Sequence, residues 1–324
     1  MAEATAVRPA VVVAVGASAG GVEALQELLA GVDADLDAAV LVVLHTSSEP
    51  SVLPAVMQRR SALLVVEVRD EVPLERGVLY IAGRDRHLLL DDGVVRATRG
   101  PKENGFRPAI DPTFRSVATV MGPASIGIVL SGSNDDGALG LAAIHRAGGC
   151  AAVPDPTQAA FPRMPAAAAD EVPAAAVLSI ADMHGFIRDC AAARPLSPNG
   201  HRSEPELERS MDDGAPAPFS CPECGGSLWE EAQEGATRYV CRVGHAFNPQ
   251  RLLELQEGVL EAALWTAMRA VEEHADLSRR LARRMERLGN ETSARRLNDR
   301  AREGSEQVEL LRRLIEHGEE SVER

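Results

Sequence analysis

The stretch VVVAVGASAGG, residues 11–21, decides the fold. A run of mainly β-branched residues stops at a glycine-rich turn, and a helix-like segment follows over residues 22–30. The same order recurs where apolar residues 126–130 end in SGSNDDG, residues 131–137, ahead of a helix-like segment at 138–147. Continuous Val, Ile and Leu runs separated by helices indicate parallel strands that are buried on both faces. The sequence therefore predicts an α/β fold, with a mostly parallel sheet flanked by helices in three Rossmann-like layers.

The composition is typical of a globular chain with an adequate core, since 45% of the 324 residues are apolar and 25% are charged. The net charge of −14 argues against nucleic acid as a partner, because a phosphate backbone would be repelled. No run of about 18 apolar residues occurs, so we expect no insertion into a membrane. Five cysteines without a signal peptide predict a reducing, cytoplasmic location rather than a disulfide framework.

Composition divides the chain into four predicted segments. Residues 8–190 form the α/β domain, including a hairpin over residues 88–98 that turns at Asp92-Gly93. Residues 191–218 are expected to be a solvated linker with a short acidic helix around residues 204–211, because five prolines lie between residues 191 and 220. Residues 219–248 are expected to form a zinc-ribbon-like module, and residues 249–318 a helical hairpin.

Three side chains of complementary chemistry follow separate predicted strands: Ser18, His45 and Asp136. Ligands of parallel sheets bind beyond the carboxyl ends of the strands, so we expect these side chains to meet at one edge. A serine hydroxyl becomes a good nucleophile when a neutral histidine removes its proton. A carboxylate on the other imidazole nitrogen fixes the tautomer and stabilises the imidazolium. The three residues therefore predict a serine hydrolase.

The turn that carries Ser18 adds a second element of this chemistry. Residues 16–20 fit G-x-S-x-G, a strand-to-helix elbow that exposes the hydroxyl. The elbow also leaves backbone N–H groups, including that of Ala19, free to bind an oxyanion. The order Ser, His, Asp along the chain disfavours the α/β-hydrolase fold, in which the aspartate precedes the histidine.

Other interpretations of the same residues are open at this point. Residues 16–21 also resemble a phosphate-cradling G-x-G-x-x-G loop with Ser18 at the second glycine, and one of the acids at residues 33, 35 and 37 would then meet a ribose. His45 alone is typical of a loop hydrogen-bonder, and Asp136 before Gly137 is typical of a helix cap. His87 also follows a predicted strand and is a rival base.

GASAGG at 16–21, the Leu-His pair at 44–45 and LSGSNDDGA at 130–138 resemble three motifs of the chemotaxis protein-glutamate methylesterases (CheB). These are the GASTGG nucleophile loop, the strand end with the histidine, and the LTGMGxDGA segment with the aspartate. Further similarities lie at residues 80–89, 104–116 (NGFRPAIDPTFRS), 147–149 and 164–165. The resemblance covers roughly residues 8–185.

The resemblance implies hydrolysis of glutamate γ-methyl esters on chemoreceptors, with release of methanol, and deamidation of receptor glutamines. Carried over by position, Ser18 is the nucleophile, His45 the base and Asp136 its partner, and the backbone N–H of Ser133 contributes to the oxyanion hole. The implied substrate is a methylated, helical receptor-like protein, and no cofactor is expected for catalysis.

This chain departs from the family pattern in three places. Ala19 replaces the common threonine, and Ser133-Asn134 replaces Met-Gly. Because asparagine tolerates the positive φ that a glycine would supply, we expect the turn to survive. Ser18 lies near the first residue, whereas these enzymes usually carry an N-terminal receiver domain. We therefore expect no receiver domain here, and control from elsewhere or none.

A second signal lies between residues 221 and 245. Cys221-Pro222-Glu223-Cys224 is a C-x₂-C knuckle, and Cys241 and His245 follow after a strand-like segment. Three thiolates and one imidazole complete a tetrahedral Zn²⁺ site without an open position, which predicts a structural zinc. A redox C-x-x-C pair is the alternative, and it leaves Cys241 and His245 unexplained. Cys150, in an apolar strand, is expected to be a small buried hydrophobe.

The last segment is helical in pattern. Asn248-Pro249 provides an N-cap and an N1 proline, and Gly289-Asn290 breaks the apolar stripe. The stripe has heptad spacing; its members are Leu253, Leu260, Leu264, Met268, Val271, Ala275, Ala282 and Met285, then Ala294, Leu297, Ala301, Gly304, Val308, Leu311 and Ile315. An antiparallel hairpin that buries its own seam is the simplest interpretation, and self-association or docking on a partner through residues 249–318 is the other.

These observations favour a serine-type methylesterase with a zinc-ribbon and helical C-terminal module. Two other classes stay open from the sequence: a nucleotide-binding Rossmann-like domain, and a non-catalytic adaptor that acts through the C-terminal helices.

Overall fold

The computed structural model describes residues 8–45, 52–157, 159–193, 214–233 and 236–322. The chain forms two compact units, one ending at Leu252 and one beginning at Leu253. The predicted acidic helix around residues 204–211 lies outside the described residues. The predicted segment boundaries stay predictions, although the cysteine-rich module belongs to the same compact unit as the α/β sheet.

The centre of the first unit is a seven-stranded sheet in which every strand pair is parallel. Its strands are β1 (Val11–Ala17), β2 (Ala38–Leu44), β3 (Leu64–Val68), β5 (Val78–Ala82), β8 (Ser125–Val129), β9 (Cys150–Pro154) and β10 (Ala176–Leu178). They are ordered β10-β9-β8-β1-β2-β5-β3, so the strand from the 11–21 stretch is central. The predicted parallel sheet is confirmed.

Helices cover both faces of this sheet. They are α1 (Gly21–Ala30), α2 (Leu53–Gln58), α3 (Ile110–Met121), α4 (Ala138–Arg146), α5 (Arg163–Glu171) and α6 (Met183–Ala192). Side chains alternate along β1: Val12 and Ala14 pack in one apolar core with residues of α3, α4 and α5, whereas Val13 and Val15 pack in the other with α1, α2 and α6. Each fully buried valine contributes about 1.5–3 kcal/mol to folding, which explains the unbroken apolar strands. The three predicted layers are confirmed.

The first unit also contains a small three-stranded antiparallel sheet. It has the order β4 (Glu71–Pro73), β7 (Val94–Thr98), β6 (His87–Asp91). The β6–β7 turn is at Asp92 and Gly93, with φ of 37° and 80°. Both residues need positive φ in such a two-residue turn, so the predicted hairpin is confirmed.

The cysteine-rich module is a four-stranded antiparallel sheet. Its order is β11 (Ala215–Ser220), β12 (Ser227–Gln233), β13 (Ala236–Cys241), β14 (Ala246–Phe247). Strand β11 includes residues 215–218, the last part of the predicted linker. Pro216 and Pro218 suggested a loop, yet prolines are tolerated on an edge strand, where the missing N–H is not needed for a second partner.

The second unit consists mainly of α7 (Pro249–Arg287) and α8 (Glu291–Val322). The helices are antiparallel, since Glu272 pairs with Arg312, Arg279 with Ser305, and Glu286 with Asn298. Met268, Val308 and Ile315 form a buried cluster along the predicted stripe. Leu253 and Leu260, predicted to join the stripe, are 55% and 61% exposed. The heptad spacing therefore predicted a longer buried seam than the two helices form, because spacing does not show where the second helix ends.

Two further findings bear on the sequence predictions. Cys150 and Cys190 are joined as a disulfide between β9 and α6, which corrects the view of Cys150 as an unpaired hydrophobe. Sequence spacing did not reveal that α6 packs against the strand. Within the described residues, every helix is too short or too polar to cross a bilayer.

Candidate active site

Sheet register brings Ser18 and His45 together at the carboxyl edge of the sheet. Strand β1 lies between β2 and β8, with Ala17 opposite Leu44 and Gly16 opposite Val129. Backbone bonds continue past the strands: the His45 N–H donates to the Ala17 carbonyl (3.1 Å) and the Ser18 N–H donates to the Ser131 carbonyl (2.7 Å). The loop that carries Asp136 starts from the same edge, so all three predicted residues lie at one place.

His45 and Asp136 form a close, buried pair. Their side chains are 5% and 0% exposed, and His45 Nε2 is 2.8 Å from Asp136 Oδ2. A carboxylate only accepts, so Nε2 is the donor and Nδ1 is left as the unprotonated nitrogen. Asn134 Nδ2 donates to Nδ1 over a long 3.5 Å. The hydrogen bonds of His45 within the described residues do not include Ser18 Oγ.

Asp136 is held by donors on every side. The Ile110 N–H, at the start of α3, donates to Oδ2 over 2.6 Å, and Asn104 Nδ2 donates to Oδ1 over 2.9 Å. Complete burial acts to raise the pKa of Asp136, but the bonds from His45, Ile110 and Asn104 outweigh it and lower the pKa. A helix N-terminus favours negative charge in the same way. Asp136 is therefore a charged carboxylate, and it caps α3 rather than the α4 helix that follows it.

Asp111 caps α4 in return. Its Oδ1 accepts from the N–H groups of Gly137 (3.0 Å) and Gly140 (2.6 Å), while Asn104 Nδ2 also donates to its Oδ2 (3.0 Å). Burial first, and then the charge of Asp136, raise the pKa of Asp111 well above its usual range. The two carboxyl groups thus differ: the pKa of Asp136 is lowered and the pKa of Asp111 is raised. Neither Asn104 nor Asp111 was singled out by the sequence analysis, although both lie in the NGFRPAIDPTFRS segment.

Phe106 supports the other side of the histidine. Its ring stacks on the His45 imidazole with centroids 3.8 Å apart and planes 5° from parallel. Stacking of this kind fixes the plane of the imidazole and so the direction of both ring nitrogens. Sequence reasoning did not assign Phe106 a role, because the contact joins loops 61 residues apart in the chain.

Gly20 of the Ser18 turn and Gly132 of the neighbouring loop have no room for a Cβ. Gly20 has φ +67°, and a Cβ there would lie 2.9 Å from Phe161. A Cβ on Gly132 would lie 2.6 Å from Met164 Sδ and 3.0 Å from Ser18 Cβ. Ser131 Oγ donates to the Ala19 carbonyl over 2.7 Å and links the two turns. The hydrogen bonds among described residues leave the N–H groups of Ala19 and Ser133 unused.

Two of the open alternatives lose support from these positions. His87 is buried, with Nε2 donating to the Pro101 carbonyl (2.9 Å) and Nδ1 accepting from the Ala109 N–H (3.3 Å), so both nitrogens are occupied. Burial lowers its pKa further. Asp37 precedes β2 and accepts from the Ala10 N–H, at the opposite end of the sheet from residues 16–21. No acid of residues 33–37 follows β2, where a ribose would need it.

Comparison with known proteins agrees with this geometry. The family model described as CheB methylesterase matches residues 13–187, more than half of the chain. The chain belongs to the CheB methylesterase family.

Similar proteins carry the same description. Protein-glutamate methylesterase/protein-glutamine glutaminase 2 of Methanosarcina mazei is 36% identical over 165 residues, which are 48% of this chain and 44% of that protein. Protein-glutamate methylesterase/protein-glutamine glutaminase 3 of Anaeromyxobacter dehalogenans is 41% identical over 160 residues, 48% of this chain and 47% of that protein. The chain thus spans less than half the length of these relatives.

A solved structure shares the fold. The Thermotoga maritima CheB methylesterase catalytic domain superposes with a TM-score of 0.53 at 26% sequence identity. The match covers 56% of this chain and 99% of that domain, so this CheB-family member contains a full catalytic-domain fold.

Asn134 is the clearest departure from the CheB motif, and the structure corrects the expectation for it. Asn134 does not adopt the positive φ that a glycine would supply. Its Oδ1 instead accepts from the Asp136 N–H (3.0 Å) and closes a tight turn, while its Nδ2 faces His45. The side chain replaces glycine's conformational freedom with a local hydrogen bond.

The four predicted metal ligands also come together. Cys221, Cys224, Cys241 and His245 place their ligand atoms within 4.8 Å of one another. Cys224 Sγ and Cys241 Sγ are 3.7 Å apart, and His245 Nδ1 lies 3.7 Å from Cys221 Sγ and 3.5 Å from Cys241 Sγ. The cluster is about 200 residues from Ser18 in sequence and forms a centre of its own.

Proposed function

We propose that this chain hydrolyses protein glutamate γ-methyl esters with Ser18 as nucleophile, His45 as general base and Asp136 as the orienting carboxylate. The observation that carries the proposal is the buried His45–Asp136 pair, 2.8 Å apart, at the strand end next to Ser18. The names of the similar proteins, methylesterase/glutaminase, supply the substrate class.

The reaction follows from the proton positions. Asp136 holds the Nε2 proton, so Nδ1 takes the Ser18 proton as Oγ attacks the ester carbonyl carbon. The bond to the methoxy oxygen then breaks, and the same proton leaves with methanol. Water attacks the acyl-enzyme and gives one proton to Nδ1, and Ser18 recovers that proton as the glutamic acid departs. The acid then loses its remaining proton to solvent and becomes the glutamate carboxylate. Deamidation of glutamine follows the same course with ammonia as leaving group.

Charge on the tetrahedral intermediate needs donors that are already in place. The N–H groups of Ala19 and Ser133 are not used by the hydrogen bonds among the described residues, and we propose them as these donors. Preorganised donors of this kind contribute about 3–4 kcal/mol each to transition-state stabilisation. Half-exposed Phe161 and buried Met164 offer an apolar contact next to the nucleophile.

The partner that we propose is a cytoplasmic, methylated receptor of helical structure. A methylated glutamate on an exposed helix reaches the carboxyl edge of the sheet without unfolding, and Ser18 is itself partly exposed there. Several leucines of α7 and α8 are more than half exposed, and we propose that residues 249–318 contribute to docking.

We propose a structural zinc for the cysteine-rich module. A tetrahedral site with Zn–S of about 2.3 Å and Zn–N of about 2.0 Å has edges of about 3.8 Å between sulfurs and about 3.5 Å between sulfur and nitrogen. The 3.7 and 3.5 Å separations in the cluster fit those edges. Four protein ligands leave no position for water, so the ion would stabilise the fold and take no part in ester hydrolysis.

The test of the hydrolase is a fluorophosphonate, which reacts only with an activated serine. Mass spectrometry of the full chain should show one adduct, on the peptide that contains Ser18. Ser18→Ala should give no adduct and should lower methanol release from a methylated receptor helix bundle by about 10⁶. Normal methanol release by folded Ser18→Ala would overturn the proposal, and so would an unlabelled Ser18 in active protein.

A further inference from the structure

The segment 101–107 connects the cysteine-rich module to the catalytic centre. On the inner side, Phe106 stacks on His45 and Asn104 Nδ2 donates to Asp136 Oδ1. Asn104 has φ +53°, a conformation that is unfavourable unless its surroundings hold it. The positions of two proposed catalytic groups therefore depend on this segment keeping its shape.

The outer side of the same segment is bound by the module. The Asn104 N–H donates to the Ala246 carbonyl (2.8 Å), and the Ala246 N–H donates to the Lys102 carbonyl (3.3 Å). The Asn248 N–H donates to Asn104 Oδ1 over 3.1 Å. Asn104 is thus held by β14 through its backbone while its side chain links Asn248 to Asp136.

Charged groups add to this contact. Arg251 Nε donates to the Asn104 carbonyl (3.0 Å), and its guanidinium lies 5.1 Å from the centre of the Phe106 ring. The Phe106 ring therefore contacts both Arg251 and His45. Lys102 Nζ pairs with Glu223 Oε2 at 3.1 Å, and Glu223 lies within the C-x₂-C knuckle.

Two of the four proposed zinc ligands lie next to β14, the strand that binds residues 101–107. His245 directly precedes β14, Cys241 ends β13, and the Cys241 N–H donates to the His245 carbonyl over 2.9 Å. Strand β14 has two residues and pairs with β13 only at Ala246 and Phe247. A strand this short, in a module with few buried side chains, depends on the metal for its position.

We infer that a zinc ion at Cys221, Cys224, Cys241 and His245 keeps the module docked on residues 101–107, and that this docking positions Phe106 and Asn104 against His45 and Asp136. The module is a positioning element of the esterase site, because it acts on His45 and Asp136 through Phe106 and Asn104. The activity readouts below rest on the proposed hydrolase function, whereas the metal and exchange readouts do not.

The first experiment removes the metal from the full chain. Cys224→Ser changes an exposed ligand, and zinc is measured by elemental analysis in reductively purified protein. We expect about one zinc per wild-type chain and much less in the variant. Hydrogen exchange of the peptide spanning residues 101–107 should rise in the variant, while exchange of β1 stays unchanged. Fluorophosphonate labelling of Ser18 should fall between about 10-fold and 100-fold, as expected for a small misplacement of catalytic groups.

The second experiment keeps the metal and breaks the contact. Arg251→Ala should bind zinc as the wild type does and should lower kcat about 10-fold with little change in KM, because Arg251 acts through Phe106 and Asn104. Arg60→Ala, an exposed arginine just after α2 and outside the proposed docking surface, is the matched control and should leave both constants unchanged.

Three outcomes would overturn the inference. One is a wild-type chain that purifies without zinc. Another is a zinc-free Cys224→Ser variant whose residues 101–107 exchange as slowly as in the wild type. The third is Arg251→Ala with unaltered kcat. A wild-type Ser18 that fails to react with the fluorophosphonate contradicts the proposed function instead, since the exchange result stands without it.

Discussion

Asp136→Asn tests the proposed mechanism at its most constrained position. Both carboxylate oxygens of Asp136 face donors only: His45 Nε2 and the Ile110 N–H at Oδ2, Asn104 Nδ2 and the Asp111 N–H at Oδ1. An asparagine at this position must place its NH₂ group where one of the two carboxylate oxygens was. The N–H groups that donated to that oxygen then face a second donor and lose their acceptor.

The size of the loss follows from the two orientations. With NH₂ toward His45, Nε2 must become the acceptor, Nδ1 carries the proton, and the base for Ser18 is lost; a wrong tautomer of this kind costs about 10⁴ in kcat. With NH₂ toward Asn104, the tautomer survives but the imidazolium loses its counter-charge. At about 4 Å and an effective dielectric constant of about 20, that charge is worth about 4 kcal/mol, or roughly a thousandfold in rate.

We therefore expect kcat for methanol release to fall between about 10³-fold and 10⁴-fold. KM should change little, since Asp136 is buried and does not face the substrate. Asp92→Asn is the matched control: it removes the same charge at the β6–β7 turn, where φ is 37° and asparagine is well tolerated. A folded Asp136→Asn enzyme that retains more than about a tenth of wild-type kcat would refute the reasoning.

Two further predictions concern stability. Burial and the charge of Asp136 raise the pKa of Asp111, so its stabilising contribution is full below the model-peptide value of 3.8 and is lost as the pH rises through the raised folded pKa. We therefore expect the Tm of the wild type to fall with rising pH from about pH 4 upward, and we expect this fall to be smaller in Asp111→Asn. Differential scanning fluorimetry measures the two slopes, which can be compared whatever the absolute Tm of the variant. Equal slopes would show that the pKa of Asp111 is not raised in the fold. Gly16→Ala should destabilise by about 1–3 kcal/mol in urea denaturation, because the new methyl overlaps Ile110 Cγ2. Gly258→Ala on α7 meets nothing within 4 Å and should stabilise by about 0.5–1 kcal/mol; equal effects of the two changes would contradict the packing argument.

Much of the site can be predicted from the sequence because the carboxyl ends of parallel strands lie at the same edge of the sheet. Ser18 and His45 each follow a strand directly, so their proximity needs only the pairing of β1 with β2. The residues that sequence reasoning missed act across loops. Asn104 and Phe106 have no periodic pattern, and their roles depend on where the segment 101–107 folds back over the histidine.

Three features follow from the sequence alone: the three-layer fold, the sheet edge that carries Ser18 and His45, and the cluster of three cysteines and one histidine. Each depends on local periodicity or on neighbours in sequence. Tertiary structure alone decided that Asp136 caps α3, that burial beside Asp136 raises the pKa of Asp111, and that Cys150 meets Cys190. It also decided that the cysteine-rich module lies against the active-site segment. These facts depend on burial and on contacts between residues up to 147 positions apart, and no local pattern encodes such distances.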